Sequence, residues 1–477
     1  MQTTIVKNAA WIVAWDDAAN EHVYLTDTDL VFAGDRITHV GAGHDGKADV
    51  TIDGRNLMAM PGLVNVHAHP CVEPFYKGYR EEHGVPSMYM TGLYERAQGF
   101  GLDVNDMADA TTVGYCELLL SGVTSVCDQG FAYPGWIETI GASGLRGFVA
   151  PGYASAQWYM TSTHDLKYRW DEAAGRKGLD EAIALMDEAE RHNSGRLSGV
   201  VFPAQIDTCS EELLRDSMAL ARQTGRPITT HVAQGVLEFL EMVRRHGKSP
   251  VQWANDVGFV GEGVIFGHAI FIDDSSWVNW ASHRDIDILA ETGTSVAHCP
   301  SPFARYGQTL ENFGRYRQAG INLGMGTDVA PHNLIEEMRL ATILARVSAR
   351  DIRAAGTADV FHAATAGGAK ALMRDDIGRL APGAKADLVL VDLDNVYMQP
   401  ARDPLRCLVY TAADRAVRDV FVDGRQVVGD GKVLTMDHRA ALARLADAQA
   451  RMHRDVPNHD FAKRSADQLS PLSLRLA

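Results

Sequence analysis

Cysteine is scarce: the 477 residues hold six, with no CxxC pair. Such a count builds no disulfide framework and points to a reducing compartment. A basic surplus is missing as well. Lys+Arg 45 against Asp+Glu 61 gives a net charge of −16. A surface this acidic repels phosphate backbones, so no nucleic acid is expected among the partners. No run approaches the roughly 18 apolar residues that span a bilayer. The opening MQTTIVKNAAWIVAWDDAANEH has only a short apolar stretch, closed by Asp16 and Asp17, and no basic region before a long apolar core. No signal peptide and no membrane partner are therefore expected, and the setting reads as cytoplasmic. Hydrophobic residues at 46% and charged residues at 22% are ordinary globular usage, which excludes a disordered or collagen-like chain.

What is present is a long chain with two textures. Its length suits two or three domains, or one large barrel with an appendage. The first segment reads as a β-meander: TTIVKNAAWIVAW, DTDLVFAGDRITHVG and ADVTIDGRNLMAM, with Gly34-Asp35 as a hairpin turn. The texture returns in ADLVLVDLDN and VRDVFVDGRQVVGDGKVL, where Val422-Asp423-Gly424 signals another hairpin. The two β-rich ends, 1–58 and 377–436, are expected to build one small β-sandwich domain. The segment 437–477 is expected to be an amphipathic helix, HRAALARLADAQARMHRDV, followed by a polar tail.

The middle, 59–376, repeats short apolar strand, loop and amphipathic helix. Its strands are read at 62–69, 122–128, 145–150, 199–206, 227–234, 264–272, 294–300 and 322–329. Ser210 with Glu211 and Glu212 marks a helix start, and Gly225 and Gly247 mark helix ends. Eight strands alternating with helices predict an α/β fold, a (β/α)8 TIM barrel, over an open doubly wound sheet.

Barrel enzymes draw their catalytic groups from strand C-terminal ends. Strand 1 ends in His67-Ala68-His69, whose imidazoles share a face because alternate strand residues point the same way. Strand 5 carries His231, strand 6 His268 and strand 8 Asp328. A lone His-x-His is a weak signal and a lone Gly-Thr-Asp a weaker one. Their placement towards the same end of four separate strands is much stronger. Imidazoles with one carboxylate suit Zn²⁺ first and Fe²⁺ second. A metal held with an open position brings the pKa of a bound water to about 7.

These residues carry a resemblance. MPGLVNVHAH (60–69), His231, Gly267-His268-Ala269, Val296-Ala297-His298-Cys299-Pro300 and Gly326-Thr327-Asp328 resemble the amidohydrolase superfamily, in its ATZ/TRZ branch. That branch contains triazine hydrolases and cytosine, guanine and methylthioadenosine deaminases. Gly378–Leu388 is similar to the stretch by which such chains return to their β-sandwich. The resemblance implies a metal-activated hydroxide attacking an electrophilic carbon. It implies His67, His69, His231 and Asp328 as metal ligands, with His268 orienting the attacking water. Binuclear relatives bridge two metals through a strand-4 lysine. Strand 4 here, GVVFPAQI, has no lysine, so one divalent metal per chain is expected.

The chain also departs from that pattern. Deaminases of the branch place a proton-shuttling glutamate three residues after the strand-5 histidine. Gln234 stands there, and a neutral amide takes up no proton at pH 7. Glu238, one turn onward, is read on a solvated helix face. Asp328 is the alternative base, as in members that cleave amides, ureas or carbamates, with Gln234 hydrogen-bonding the substrate. His332 is a candidate for substrate contact, weighed against a helix-capping role. Glu336, Glu337 and Arg339 read as a structural ion-pair cluster. His298 matches a family position and reads as a structural neighbour of the site.

Aromatic loops suit a flat, uncharged substrate. The first holds Phe75, Tyr76, Tyr79, Met88, Tyr89, Met90 and Tyr94. The second holds Tyr153, Gln157, Trp158, Tyr159, Met160, Tyr168 and Trp170. Glu73, Gln157, Trp158 and His332 are taken as the substrate-binding set, with His83 as a further polar candidate. The cysteines have no base motif beside them. The expected protein is a carbon–nitrogen hydrolase of a small aromatic or heterocyclic substrate, and a homodimer or higher homo-oligomer. The alternatives are triazine-type dechlorination, or a metal-bearing binding subunit without activity.

Overall fold

The computed structural model describes residues 2–79 and 91–477. The chain opens with β1 (Thr3–Asp16), β2 (Glu21–Ala33), β3 (Arg36–Gly41), β4 (Val50–Asp53) and β5 (Leu57–Pro61). The barrel strands begin with β6 (Leu63–Ala68), β7 (Val123–Gly130) and β8 (Arg146–Tyr153). A hairpin of β9 (Ala156–Met160) and β10 (Leu166–Trp170) follows. The barrel resumes with β11 (Leu197–Gly199), β12 (Phe202–Pro203), β13 (Ile228–Val232), β14 (Val264–His268), β15 (Ser295–His298) and β16 (Leu323–Met325). The last strands are β17 (Leu388–Asp392), β18 (Val417–Val422), β19 (Arg425–Gly429) and β20 (Lys432–Val433).

The middle strands form a parallel sheet in the order β11-β8-β7-β6-β16-β15-β14-β13, with β12 also on β8. The fourth barrel strand, read as one run, is split into β11 and β12. It meets the fifth through the parallel bridges Val201↔Ile228 and Gln205↔His231, which close the barrel. Strands β6, β7 and β14 are buried along their whole length, as parallel strands covered by helices must be. Helix Glu211–Thr224 starts where Ser210 Oγ accepts from the Leu213 N–H at 3.3 Å, and it ends at left-handed Gly225.

The two chain ends make a second, mixed sheet, ordered β20-β19-β18-β17-β5-β1-β2-β3 with β4 on β1. Strands β5 and β17 pair antiparallel, so the early and late segments share one ladder. Gly34-Asp35 and Asp423-Gly424 are the two-residue turns between β2 and β3 and between β18 and β19. At Gly424, φ is +71° and a Cβ would stand 2.0 Å from the Gly34 carbonyl oxygen, so only glycine fits between the two turns. Helix His438–His459 packs Ala441, Leu445, Ala448, Met452 and Val456 against Phe75, Tyr76 and Phe100 near the mouth of the barrel. Among the described residues, no helix is long and apolar enough to cross a membrane.

Candidate active site

Four strand ends converge. His67 and His69 lie two residues apart at the end of β6, and the bridge Ala68↔Asp328 sets Asp328 beside them. Parallel registry places His231 of β13 against Gly267 of β14, one residue before His268. His67 is enclosed: a Cβ on Gly326 would come within 2.6 Å of the His67 Cβ, so the strand-8 backbone passes that close only as glycine. Ala233, His268, Ala269 and Asp328 hold positive φ values of 54°, 82°, 44° and 56°. Non-glycine residues seldom adopt that region, and strain of this kind concentrates at functional sites.

The ring nitrogens are sorted by their outer partners. His69 Nδ1–H donates to the Gln129 carbonyl at 2.7 Å, and His231 Nδ1–H donates to the Ala204 carbonyl at 2.5 Å. Each bond keeps the proton on Nδ1 and turns the Nε2 lone pair inward. The two Nε2 atoms stand 3.4 Å apart. Asp328 Oδ1 lies 3.2 Å from His69 Nε2 and 3.4 Å from His67 Nε2. Both ring nitrogens of His67, and Nδ1 of His268, are buried without a hydrogen-bond partner. Burial pushes His67 below its ordinary pKa, and His231 and His268 well below it, so these imidazoles are neutral. Burial opposes ionisation of Asp328, yet the imidazoles beside it hold its carboxyl well below the usual range. Neutral imidazoles gathered around one carboxylate make a donor set that suits a cation. Candidate ligand atoms of His67, His231 and His268, and of His67, His69 and Asp328, lie within 4.8 Å of one another. The residues fit a divalent metal.

The cluster opens into a cavity of about 580 Å³. His69, His231, Asp328, Gln129, Gln205 and Gln234 line its polar side. Tyr76, Phe100, Phe131, Phe202, Phe303 and Tyr306 line its apolar side, with Glu73 and Arg96 at the wall. A larger cavity of about 1160 Å³ lies at the other end of the barrel, beside Trp15, Gly320 and His362, away from this cluster.

Of the residues singled out in the sequence, Glu73 and Gln234 line the cavity. His332 is buried behind it: its Nδ1 shares a hydrogen bond of 2.9 Å with Thr327 Oγ1, which also accepts from Asn65 Nδ2 at 2.8 Å. Asn333, not His332, caps the next helix, accepting from the Glu336 N–H at 3.2 Å. Gln157 is exposed on β9. Trp158 Nε1 and Tyr168 OH donate to Asp207 at 2.9 and 2.8 Å, outside the cavity lining. His298 is buried beside Phe313, and its pKa is pushed down to about 3 by burial. The thiols of Cys71 and Cys127 are pushed up to about 12 by burial, which removes them as nucleophiles near neutral pH. His83, Met88, Tyr89 and Met90 lie outside the described residues.

Two readings are corrected. Glu238 is not on a solvated face. It is fully buried, and its oxygens accept from the Ala233 and Gln234 N–H groups at 2.6 and 2.9 Å. That bracket holds the strand-5 loop. Glu336, Glu337 and Arg339 form no ion-pair cluster: Glu337 accepts from the Ser301 N–H at 2.9 Å, and Arg339 Nε donates to the Val409 carbonyl at 2.8 Å. Missed in the sequence were Arg96, Gln205, Phe303 and Tyr306. Gln205 lies near the end of the fourth barrel strand, in the run that lacks the lysine.

A family model described as the amidohydrolase family matches residues 58–427. The chain belongs to the amidohydrolase family. Among relatives, it is 30% identical over 409 residues to a 5-methylthioadenosine/S-adenosylhomocysteine deaminase of Thermococcus kodakarensis, covering 85% of this chain and 90% of that protein. It is 29% identical over 447 residues to a 5'-deoxyadenosine deaminase of Methanosarcina mazei, covering 93% and 96%. Among solved structures, an adenosine deaminase from Xanthomonas campestris with bound zinc superposes with a TM-score of 0.81 at 25% identity, over 94% of this chain and 98% of that one. An atrazine chlorohydrolase from Arthrobacter aurescens complexed with zinc gives 0.78 at 23% identity, over 94% and 100%, a likeness of fold. This amidohydrolase therefore has the barrel and the end-strand domain that its sequence predicts.

Proposed function

We propose that the chain is a metal-dependent hydrolase that cleaves a carbon–nitrogen bond of a small, uncharged heterocyclic or aromatic substrate. The observation that carries this is the clustering of His67, His69, His231, His268 and Asp328, of which His69, His231 and Asp328 line the cavity. His67, His69, His231 and Asp328 would hold one divalent ion per chain, with zinc favoured by the zinc-bearing structural neighbours. Such an ion supplies Lewis-acid charge and a water acidic enough to react near neutral pH. His268, whose Nδ1 has no protein partner, offers the attacking water a hydrogen bond that aligns it. The Asp328 carboxylate takes the water's proton and returns it to the leaving nitrogen. Gln234 hydrogen-bonds the substrate from the cavity wall, and the aromatic side excludes bulk water.

The named relatives favour deamination of an adenosine-type ring. One observation favours amide, urea or carbamate cleavage instead. Gln234 cannot shuttle a proton, and both oxygens of Glu238 are occupied by backbone N–H groups. The buried free thiols and acidic surface support a cytoplasmic setting, and a homo-oligomer is part of the same reading. The test joins elemental analysis to a substrate screen. About one transition metal per chain is expected, with ammonia or amine release from adenosine-type nucleosides, aminated azines or N-aryl ureas. His268→Ala should keep the metal and lose roughly 10²-fold in turnover. Two tightly bound ions per chain, or full turnover in metal-replete His268→Ala, would overturn the assignment.

A further inference from the structure

Gln205 and Gln234 lie side by side at the ends of barrel strands 4 and 5. Gln234 Nε2–H donates to Gln205 Oε1 at 2.5 Å. Both side chains line the cavity, and Gln234 is 3% exposed. The reciprocal bond, from Gln205 Nε2 to Gln234 Oε1, is not made, and neither atom has another partner among the described residues. That bond uses one of the two Gln234 N–H groups and one lone pair of Gln205 Oε1. The wholly unused groups are the Gln205 NH2, as donor, and Gln234 Oε1, as acceptor. Exchanging O and N in both amides reverses the order but leaves the same pairing. The bridge Gln205↔His231 fixes this pair beside a histidine of the ligand cluster, and Glu238 pins the Gln234 backbone.

We infer that Gln205 and Gln234 form a specificity-determining pair that reads a neutral substrate edge carrying an acceptor next to an N–H donor. That edge is O=C–N–H in an amide, urea or lactam, and N=C–N–H in an aminated azine. The inference deepens the proposed hydrolase function and rests on it for the role of the neighbouring metal cluster. The pair has no net charge and supplies no counter-charge to an ionised edge, so the pair itself favours a neutral one. It also rejects analogues whose N–H is alkylated, because the Gln234 acceptor would then face a methyl group.

The test is calorimetric binding to the zinc-loaded protein with matched probes: N-phenyl ethyleneurea against its N′-methyl derivative, and aminopyrimidine against dimethylaminopyrimidine. The N–H member of at least one couple should bind roughly tenfold more tightly than its alkylated partner. The couple that shows the preference tells the urea-type edge from the azine-type edge. Gln205→Met and Gln234→Met, checked for unchanged zinc content and melting temperature, should bring the preference close to unity. Equal binding within both couples, binding of no probe, or a preference that survives in both variants would overturn the inference. Should a variant fail to fold, the preference in the unaltered protein still decides. Zinc present without preference defeats the pair alone, and preference without stable zinc defeats the metal-hydrolase reading alone.

Discussion

Glu337 shows what burial does to a single carboxyl group. It is 2% exposed, and its partner is the Ser301 backbone at the start of the segment that carries Phe303 into the cavity. Burial raises its pKa from 4.5 to about 8, against the lowering effect of Ser301 and Arg305. The folded state thus holds this proton more tightly than the unfolded chain does. The group's contribution to stability is complete below about 4.5 and is lost as pH rises through about 8. Glu337→Gln keeps the acceptor for Ser301 and removes the ionisation. Its melting temperature relative to the unaltered protein should rise between about pH 5 and pH 8, equivalent to as much as about 4 kcal/mol. A difference constant across that range would show that Glu337 does not titrate there.

At the scale of elements, helix His438–His459 lies beyond the span matched by the family model, yet it braces the cavity. Gln449 Nε2 donates to the Phe75 and Lys77 carbonyls at 2.7 and 2.9 Å. Tyr79 OH shares a hydrogen bond of 2.9 Å with His453 Nδ1. The segment so held carries Glu73 and Tyr76 to the cavity wall. Gln449→Ala leaves two carbonyls without this donor and loosens that wall without touching the histidine cluster. KM should rise about three- to tenfold while kcat stays within about twofold, measured by steady-state kinetics. A lower kcat at unchanged KM would place the helix's influence on the chemical step instead.

Across the whole molecule, barrel and end-strand sheet are locked by a buried charge cluster. Arg146, at the start of β8, donates from Nε and Nη2 to Asp387 at 2.9 and 3.1 Å and also pairs with Asp423 in the β18–β19 turn. Arg146 and Asp387 are 2% and 1% exposed. Such a pair adds little net stability over an apolar replacement, but removing one partner strands the other charge. Arg146→Ala should destabilise the fold by about 3–5 kcal/mol, read from the urea midpoint, and Arg146→Met by less. Similar midpoints for Arg146→Ala and the unaltered protein would mean that water reaches Asp387.

The sequence by itself determined whatever depends on short-range pattern. Short apolar runs and helix boundaries such as Ser210 and Gly225 located the eight barrel strands, because such runs and caps are read within a few residues. His67, His69, His231, His268 and Asp328 were legible since they fall at the ends of four strands, and a closed barrel brings such ends together. Only the tertiary structure decided which other polar and aromatic groups face the cavity. Glu73 turns in, while Gln157 stays in solvent and Trp158 is turned aside by Asp207. Glu238 is spent on backbone N–H groups, and Gln205 meets Gln234 across adjacent strands, 29 positions apart in the chain. No local pattern records those pairings, because each depends on a partner that the closed barrel supplies from a distant part of the chain.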